Sequence, residues 1–234
     1  MNDVFSFCKT SSFHHQTSNK NMQHLKNIQT LFSKNFVENP LLETFEVGKL
    51  HLSSGYLVAN DPLLTPDKQA FTVKFPLGDF TTFIHKERES NCIAYAEVVF
   101  ANQEVDFWEM AVCEGQNIKD LKDEEIFGYP VESGMGCFMD LDSQNLLNNL
   151  EIELFEKKGK DFLGIYEEFF HQHFYDENGA IDQFAFLKPY DNKSNNIFAF
   201  ETGFGEGFYA CYIGFDEQQN PVKIISEFIE VKSE

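Results

Sequence analysis

The run Cys92-Ile-Ala-Tyr-Ala-Glu-Val-Val-Phe-Ala101 alternates between two sets of side chains. On an extended backbone Ile93, Tyr95, Glu97 and Val99 share one face, and Cys92, Ala94, Ala96, Val98 and Phe100 share the other. Period two over ten residues reads as a strand, and the segment after it repeats the pattern. In Asp106 to Cys113, Phe107, Glu109 and Ala111 oppose Trp108, Met110 and Val112, so Trp108 is expected in a core.

Strand signals continue in both directions. Phe45 to His51 and Gly55 to Ala59 flank a turn at Ser53-Ser54-Gly55, and Asn60-Asp61-Pro62 reads as another turn. Phe71 to Phe75 and Asp79 to His85 flank Pro76-Leu77-Gly78 like the arms of a hairpin. A helical block is expected from Ser143 to Tyr175; Phe162, Ile165, Tyr166, Phe169, Phe170 and His173 keep the spacing of one helix face. Asn178-Gly179 and Lys188-Pro189 punctuate a looser stretch. Ile197 to Phe200, Gly207 to Phe215 and Val222 to Val231 follow as strands, the last two expected to pair around Glu217 to Pro221. Strands near both ends with helices between them predict an α+β fold: a largely antiparallel twisted sheet with a central helical block packed on one face. Residues 1–40 read as a polar N-terminal segment, poorly ordered at its start. It carries a short amphipathic helix marked by Leu25, Ile28, Leu31 and Phe32. Residues 41–234 read as a single α+β domain.

The 234 residues carry 38 acidic and 18 basic side chains, a formal net charge of −20. That field repels nucleic acid and anionic membranes, and Arg88 is the only arginine for reading phosphates or base edges. The same field attracts a basic protein, although acidity can also serve solubility alone. Phenylalanine is frequent at 27 copies, a compositional habit that points to no function. Cys8, Cys92, Cys113, Cys137 and Cys211 are odd in number and never at CxxC spacing, which fits free thiols in a reducing compartment and no zinc site. No signal peptide or membrane-spanning segment is expected, and a cytoplasmic location is the default. No cofactor is implied.

Two glycine-rich stretches set acids on backbone bends: Gly128 to Asp140, and Gly203 to Asp216. If the chain runs extended from Cys137 to Asp142, Glu132 and Asp140 stand near each other across the turn. Such a pair can hold a cation or divide acid and base roles. Alternatively Glu132 receives turn amides, and Asp142 or Ser143 caps the next helix. Cys137, after the glycines, is a candidate nucleophile or a structural thiol. Glu206 sits in Gly203-Phe-Gly-Glu-Gly207, which resembles a phosphate loop but lacks the following Lys-Ser/Thr and the strand-to-helix transition. Asp61 and Tyr209 are candidate ligand-binding residues. His171-Gln-His173 would chelate from a strand, but the pattern is helical, so no metal site is expected there.

The order of several motifs resembles the bacterial Domain of Unknown Function 4241 family. They are Gly48-Lys-Leu-His-Leu-Ser-Ser-Gly55 with Ala59-Asn-Asp-Pro62, Phe75-Pro-Leu-Gly-Asp79 and Phe107-Trp-Glu-Met-Ala111. Tyr129-Pro-Val-Glu-Ser-Gly-Met-Gly-Cys-Phe-Met-Asp140 and Gly205-Glu-Gly-Phe-Tyr-Ala-Cys-Tyr-Ile-Gly214 complete the set. The resemblance spans roughly residues 45–231 and implies a bacterial cytosolic protein, with no established activity to carry over. The positions of Glu132 and Glu206 are commonly aspartate in the family pattern. Glutamate is one methylene longer, and a misplacement of about 1 Å costs a large rate factor, so the departure weighs against exacting catalytic roles.

Three readings follow. The first is a non-enzymatic acidic binding protein for a basic partner, one version being an immunity or inhibitor protein for a basic toxin. The alternative is a hydrolase-like enzyme or small-ligand binder using Glu132, Asp140, Glu206 and Cys137. An orphan scaffold domain is a third. Position discriminates: glycine-rich bends that meet in a cleft favour the ligand or enzyme reading, and bends that lie apart are structural turns.

Overall fold

The alternation around Tyr95 becomes β4 (Ile93–Val99), an interior strand of a six-stranded antiparallel sheet. The structure is a computed structural model that describes residues 22–34, 37–64, 69–122 and 125–232. The large sheet runs β1 (Leu42–Leu52), β3 (Gly78–Glu87), β4, β14 (Pro221–Glu227), β13 (Cys211–Phe215) and β5 (Phe107–Met110). A second antiparallel sheet of four strands runs β10 (Phe184–Leu187), β11 (Ile197–Glu201), β7 (Met135–Asp140) and β2 (Leu57–Asn60). Two-stranded ribbons pair β6 (Tyr129–Val131) with β12 (Gly207–Tyr209) and β8 (Tyr175–Asp176) with β9 (Gly179–Ala180).

Both sheets are apolar on both faces, which is why they stack and are capped by helices. Leu50, Ile84, Val98, Ile213 and Ile224 of the large sheet meet Leu57, Phe138, Phe198 and Phe200 of the small one. Phenylalanine does much of the filling: the Phe186 and Phe198 rings stack at 4.9 Å, and Phe138 meets Phe200 edge-on at 5.7 Å. Each such ring contributes about 1.5–3 kcal/mol by leaving water. The outer face of the large sheet, with Tyr95, Trp108, Tyr212 and Ile225, is covered by Ile28, Leu31 and Phe32 of α1 (Met22–Phe32). The outer face of the small sheet, with Val58, Cys137, Met139 and Ile197, lies under Leu147 of α2 (Leu141–Lys158). Phe169, Phe170 and Phe174 complete that cover. The order of layers is helix, sheet, sheet, helix.

The expected α+β fold with antiparallel strands and a helical block on a sheet face is present. Most of its strands divide between two sheets, and the first helix covers a face of its own. Phe71 to Phe75 is not a hairpin arm. Phe71 and Phe75 donate to Leu57 O and Gly55 O, while Thr72 between them donates to Val112 O, so its amides serve two neighbours and build no ladder. The helical block breaks after Lys158 at Gly159 to Gly164 and resumes as a π-helical turn (Tyr166–Phe170) and α3 (His171–Phe174). The strand expected over Gly207 to Phe215 breaks at Ala210, and its two parts join different sheets. In β4 the register shifts where Lys86 pairs with Ile93 and His85 with Tyr95, leaving Ala94 as an extra residue. Tyr95 and Glu97 then share the outer face while Ile93 joins Ala96 and Val98 inside.

Glu97 is nearly fully buried on that outer face and is doubly paired, with His85 Nε2 at 2.9 Å and Lys223 Nζ at 2.9 Å. Lys223 also donates to Lys34 O at 3.1 Å, just beyond α1. Thr44 Oγ1 lies 2.9 Å from the other nitrogen of His85. Burial pushes the Glu97 carboxyl up, but the His85 hydrogen bond and the Lys223 charge outweigh it and hold the pKa below its usual value.

Candidate functional site

Asp61 lies at the end of β2, fully buried, and organises the first glycine-rich bend. Its Oδ2 accepts the amides of Glu132 at 3.0 Å and Ser133 at 2.9 Å, and its Oδ1 accepts Leu63 N at 2.9 Å. Gly134 completes the turn at φ 76°, a conformation that L side chains rarely adopt. From there β7 pairs with β11, Met135 opposite Glu201, so the chain leaving β11 starts its own bend directly beside the first.

Thr202 joins the two bends. Its amide donates to Gly134 O at 3.0 Å, and its hydroxyl lies 3.1 Å from Gly134 O and 2.8 Å from Gly205 O. Gly205 N returns to Thr202 O at 2.7 Å, closing the second turn. Tyr209 braces that turn from beneath: its hydroxyl donates to Gly205 O at 2.8 Å, and its ring packs edge-on against Phe228 at 5.1 Å. A Cβ on Gly134 would lie only 3.7 Å from Gly205 Cα, so the two bends are in van der Waals contact. They meet, and a cleft of about 670 Å³ opens over them.

The cleft floor is Ser133 to Met135 and Glu201 to Gly205. Its walls are Tyr166 from the π-helical turn, with Phe174 and Tyr175 from the end of α3. Tyr166, His171 and Tyr175 form one aromatic group: His171 stacks on Tyr175 at 5.5 Å and meets Tyr166 edge-on at 5.7 Å. Burial, with smaller contributions from Tyr175 and Glu167, pushes the Tyr166 hydroxyl above its usual pKa, so it stays neutral. Phe204 stands at the tip of the second bend, 76% exposed.

The residues singled out from sequence take other places. Asp140 is fully buried at the far end of β7, about five residues and roughly 16 Å of strand from the bend. It is the N-cap of α2, accepting Asp142 N at 2.9 Å, and it also receives Ser54 N, Gly55 N and the Ser54 hydroxyl. Glu132 and Asp140 therefore do not face each other. The extended run expected through Asp142 ends at Asp140, because the helix begins at Leu141. Neither Asp142 nor Ser143 is the cap; Asp142 instead accepts the Ser53 hydroxyl at 2.8 Å. Glu132 and Glu206 are exposed and do not line the cleft. The Glu132 amide, not its carboxylate, is what the turn uses. Cys137 is buried, with its thiol donating to Asn60 Oδ1 at 2.9 Å. Of the candidate ligand residues, Asp61 and Tyr209 both hold the bends up from below.

The cleft residues that the sequence reading passed over are Glu201, Thr202, Phe204, Tyr166 and Tyr175. One signal was available. A phenylalanine between two glycines, as at Phe204, has no neighbouring strand residue to carry it into a core. Tyr166 reaches the cleft just after the break in the helical block and Tyr175 just past the end of α3, neither of which helix periodicity reveals.

Cys92 and Cys113 are half-buried and Cys211 is buried, all three free; Cys8 lies outside the described residues. Burial pushes the Cys211 thiol up to about 12, which keeps it protonated. Among the described residues no group of three or more His, Cys, Asp or Glu is placed to hold a metal ion. Among them, too, no helix is long and apolar enough to cross a membrane.

The model of a family described as "Protein of unknown function (DUF4241)" matches residues 50–226. No curated protein and no solved structure matches the chain.

Proposed function

The chain belongs to the DUF4241 family, and from that premise we propose that it is a non-enzymatic binding protein whose acidic surface engages a basic protein. An immunity or inhibitor protein that neutralises a cationic toxin in the cytoplasm is the version the charge favours. One observation carries the reading. Most of the cleft lining comes from residues 125–156, 161–187 and 194–222, which contain neither lysine nor arginine, while Lys158 at their border is paired with Glu168. They do carry exposed acids, including Glu132, Glu167, Asp176, Glu177, Asp182 and Glu206. A predominantly acidic surface around a concave feature raises the local concentration of a cationic partner and speeds its arrival. The buried acids Asp61 and Asp140 are committed to backbone amides, which supports binding over acid–base chemistry.

The test is capture of the partner in the native host, followed by stopped-flow association of the purified pair. The expected partner carries net positive charge, and its association rate falls about tenfold or more between 0.05 and 0.5 M salt. An acidic partner, or a rate indifferent to salt, overturns the reading.

The second reading, a small-ligand binder, is favoured by the meeting of the two bends. The cleft volume of about 670 Å³ lies within the usual range for ligand sites. Saturable binding of a neutral metabolite there, with no macromolecular partner captured, would select it.

A further inference from the structure

We propose that the cleft between the two glycine-rich bends receives a cationic side chain, lysine or arginine, presented by the basic partner; this rests on the binding reading above. Glycine-rich bends ordinarily suggest an anion held by free backbone amides. Here five of those amides are already occupied. Glu132 N and Ser133 N bond Asp61, Met135 N bonds Ser133 Oγ, Thr202 N bonds Gly134 O and Gly205 N bonds Thr202 O. An anion would also meet the Glu201 carboxylate with no cation among the described lining residues to offset it.

A cation meets the opposite conditions. Glu201 is the only charged side chain among the described lining residues, partly buried at the end of β11, and no described residue forms an ion pair with it. Tyr166, Tyr175 and Phe204 line the same cleft. Aromatic faces attract an ammonium or guanidinium head within about 6 Å and pack against its alkyl stem. The exposure of Phe204 finds its reason in this arrangement. The chain leaves a large apolar ring in water at the tip of the bend, and a lysine stem would cover it.

The experiment titrates Nα-acetyl-lysine methylamide and its norleucine counterpart into the isotope-labelled full chain, following backbone amides by NMR. The lysine compound is expected to shift Gly134, Gly203 and Gly205. Norleucine, which keeps the stem and loses the charge, is expected to bind at least about fivefold more weakly. Glu201→Gln and Phe204→Ala should each weaken lysine about fivefold, while Glu206→Gln, an exposed acid outside the cleft, should not. Phe204 is so exposed that its variant keeps the test available even if Glu201→Gln disturbs the fold. Equal binding of lysine and norleucine overturns the proposal. So does octalysine binding that is unchanged in both cleft variants, an outcome that leaves the acidic binding reading standing. Failure of both lysine and octalysine to bind overturns the two together.

Discussion

Asp140 shows how a residue that looks chemical can be structural. Its two oxygens take the Asp142 amide, two amides of the Ser53-Ser54-Gly55 turn and a serine hydroxyl, so one side chain starts α2 and ties it to the β1–β2 connection. An aspartate N-cap contributes about 1 kcal/mol, and each buried amide left without an acceptor costs about 1–3 kcal/mol. Asp140→Ala is therefore expected to lower stability by about 3 kcal/mol in urea unfolding. Glu132→Gln and Glu206→Gln, exposed acids on the bends, should each change it by no more than about 0.5 kcal/mol. A large loss at Glu206 would mean that its carboxylate holds the second bend, a role the geometry gives to Thr202 and Tyr209.

At the scale of elements, α1 and the large sheet are joined by charged groups as well as by Ile28 and Phe32. Lys223 lies between Glu97 and the carbonyl of Lys34, with almost no exposure. Lys223→Met leaves the Glu97 carboxylate with His85 alone in a dry layer and is expected to cost about 3–5 kcal/mol. The double variant Glu97→Leu/Lys223→Met should recover much of that, because no unpaired charge remains. Because Glu97 has a folded pKa below its unfolded value, its contribution is present above about pH 4.5 and is lost as pH falls through the folded pKa.

His24 of α1 behaves in the opposite sense. Its Nδ1 lies 2.9 Å from Glu227 Oε2, and that hydrogen bond, opposed by burial and aided by the charges of Glu227 and Glu230, raises its pKa. Its contribution is full below about pH 6.5 and fades as pH rises through the folded value. Relative to the rest of the protein, α1 amides should be better protected from hydrogen exchange at about pH 6 than at about pH 8.5. His24→Gln should remove the difference. If the protection of α1 is the same at both pH values in the parent chain, the histidine does not help to dock the helix.

Across the whole molecule the surplus of acids acts on stability as well as on partners. A net charge of −20 repels itself, and salt screens that repulsion over a Debye length of about 10 Å at 0.1 M. Raising salt from about 0.02 to 0.5 M is expected to raise Tm by a few degrees, with the buried Glu97 pair little affected. A fall in Tm over that range would mean that surface attractions outweigh the surplus.

Local pattern was enough for the strand at Tyr95, the pairing of the last two strands, the turns at Asp61 and at Glu217 to Pro221 and the aromatic face of the helical block. Each depends on neighbours in the chain and on the period of burial. The division into two sheets, the escape of Phe71 to Phe75 from any ladder and the break at Ala210 came from long-range pairing, which a one-dimensional pattern does not encode. The cleft belongs to that second kind. Met135 pairs with Glu201 and Val131 with Gly207, and only this register places two bends some seventy residues apart in contact. Burial then separates acids of like appearance: Asp61 and Asp140 fold inward onto amides, while Glu201, unremarked in the sequence, faces the open space.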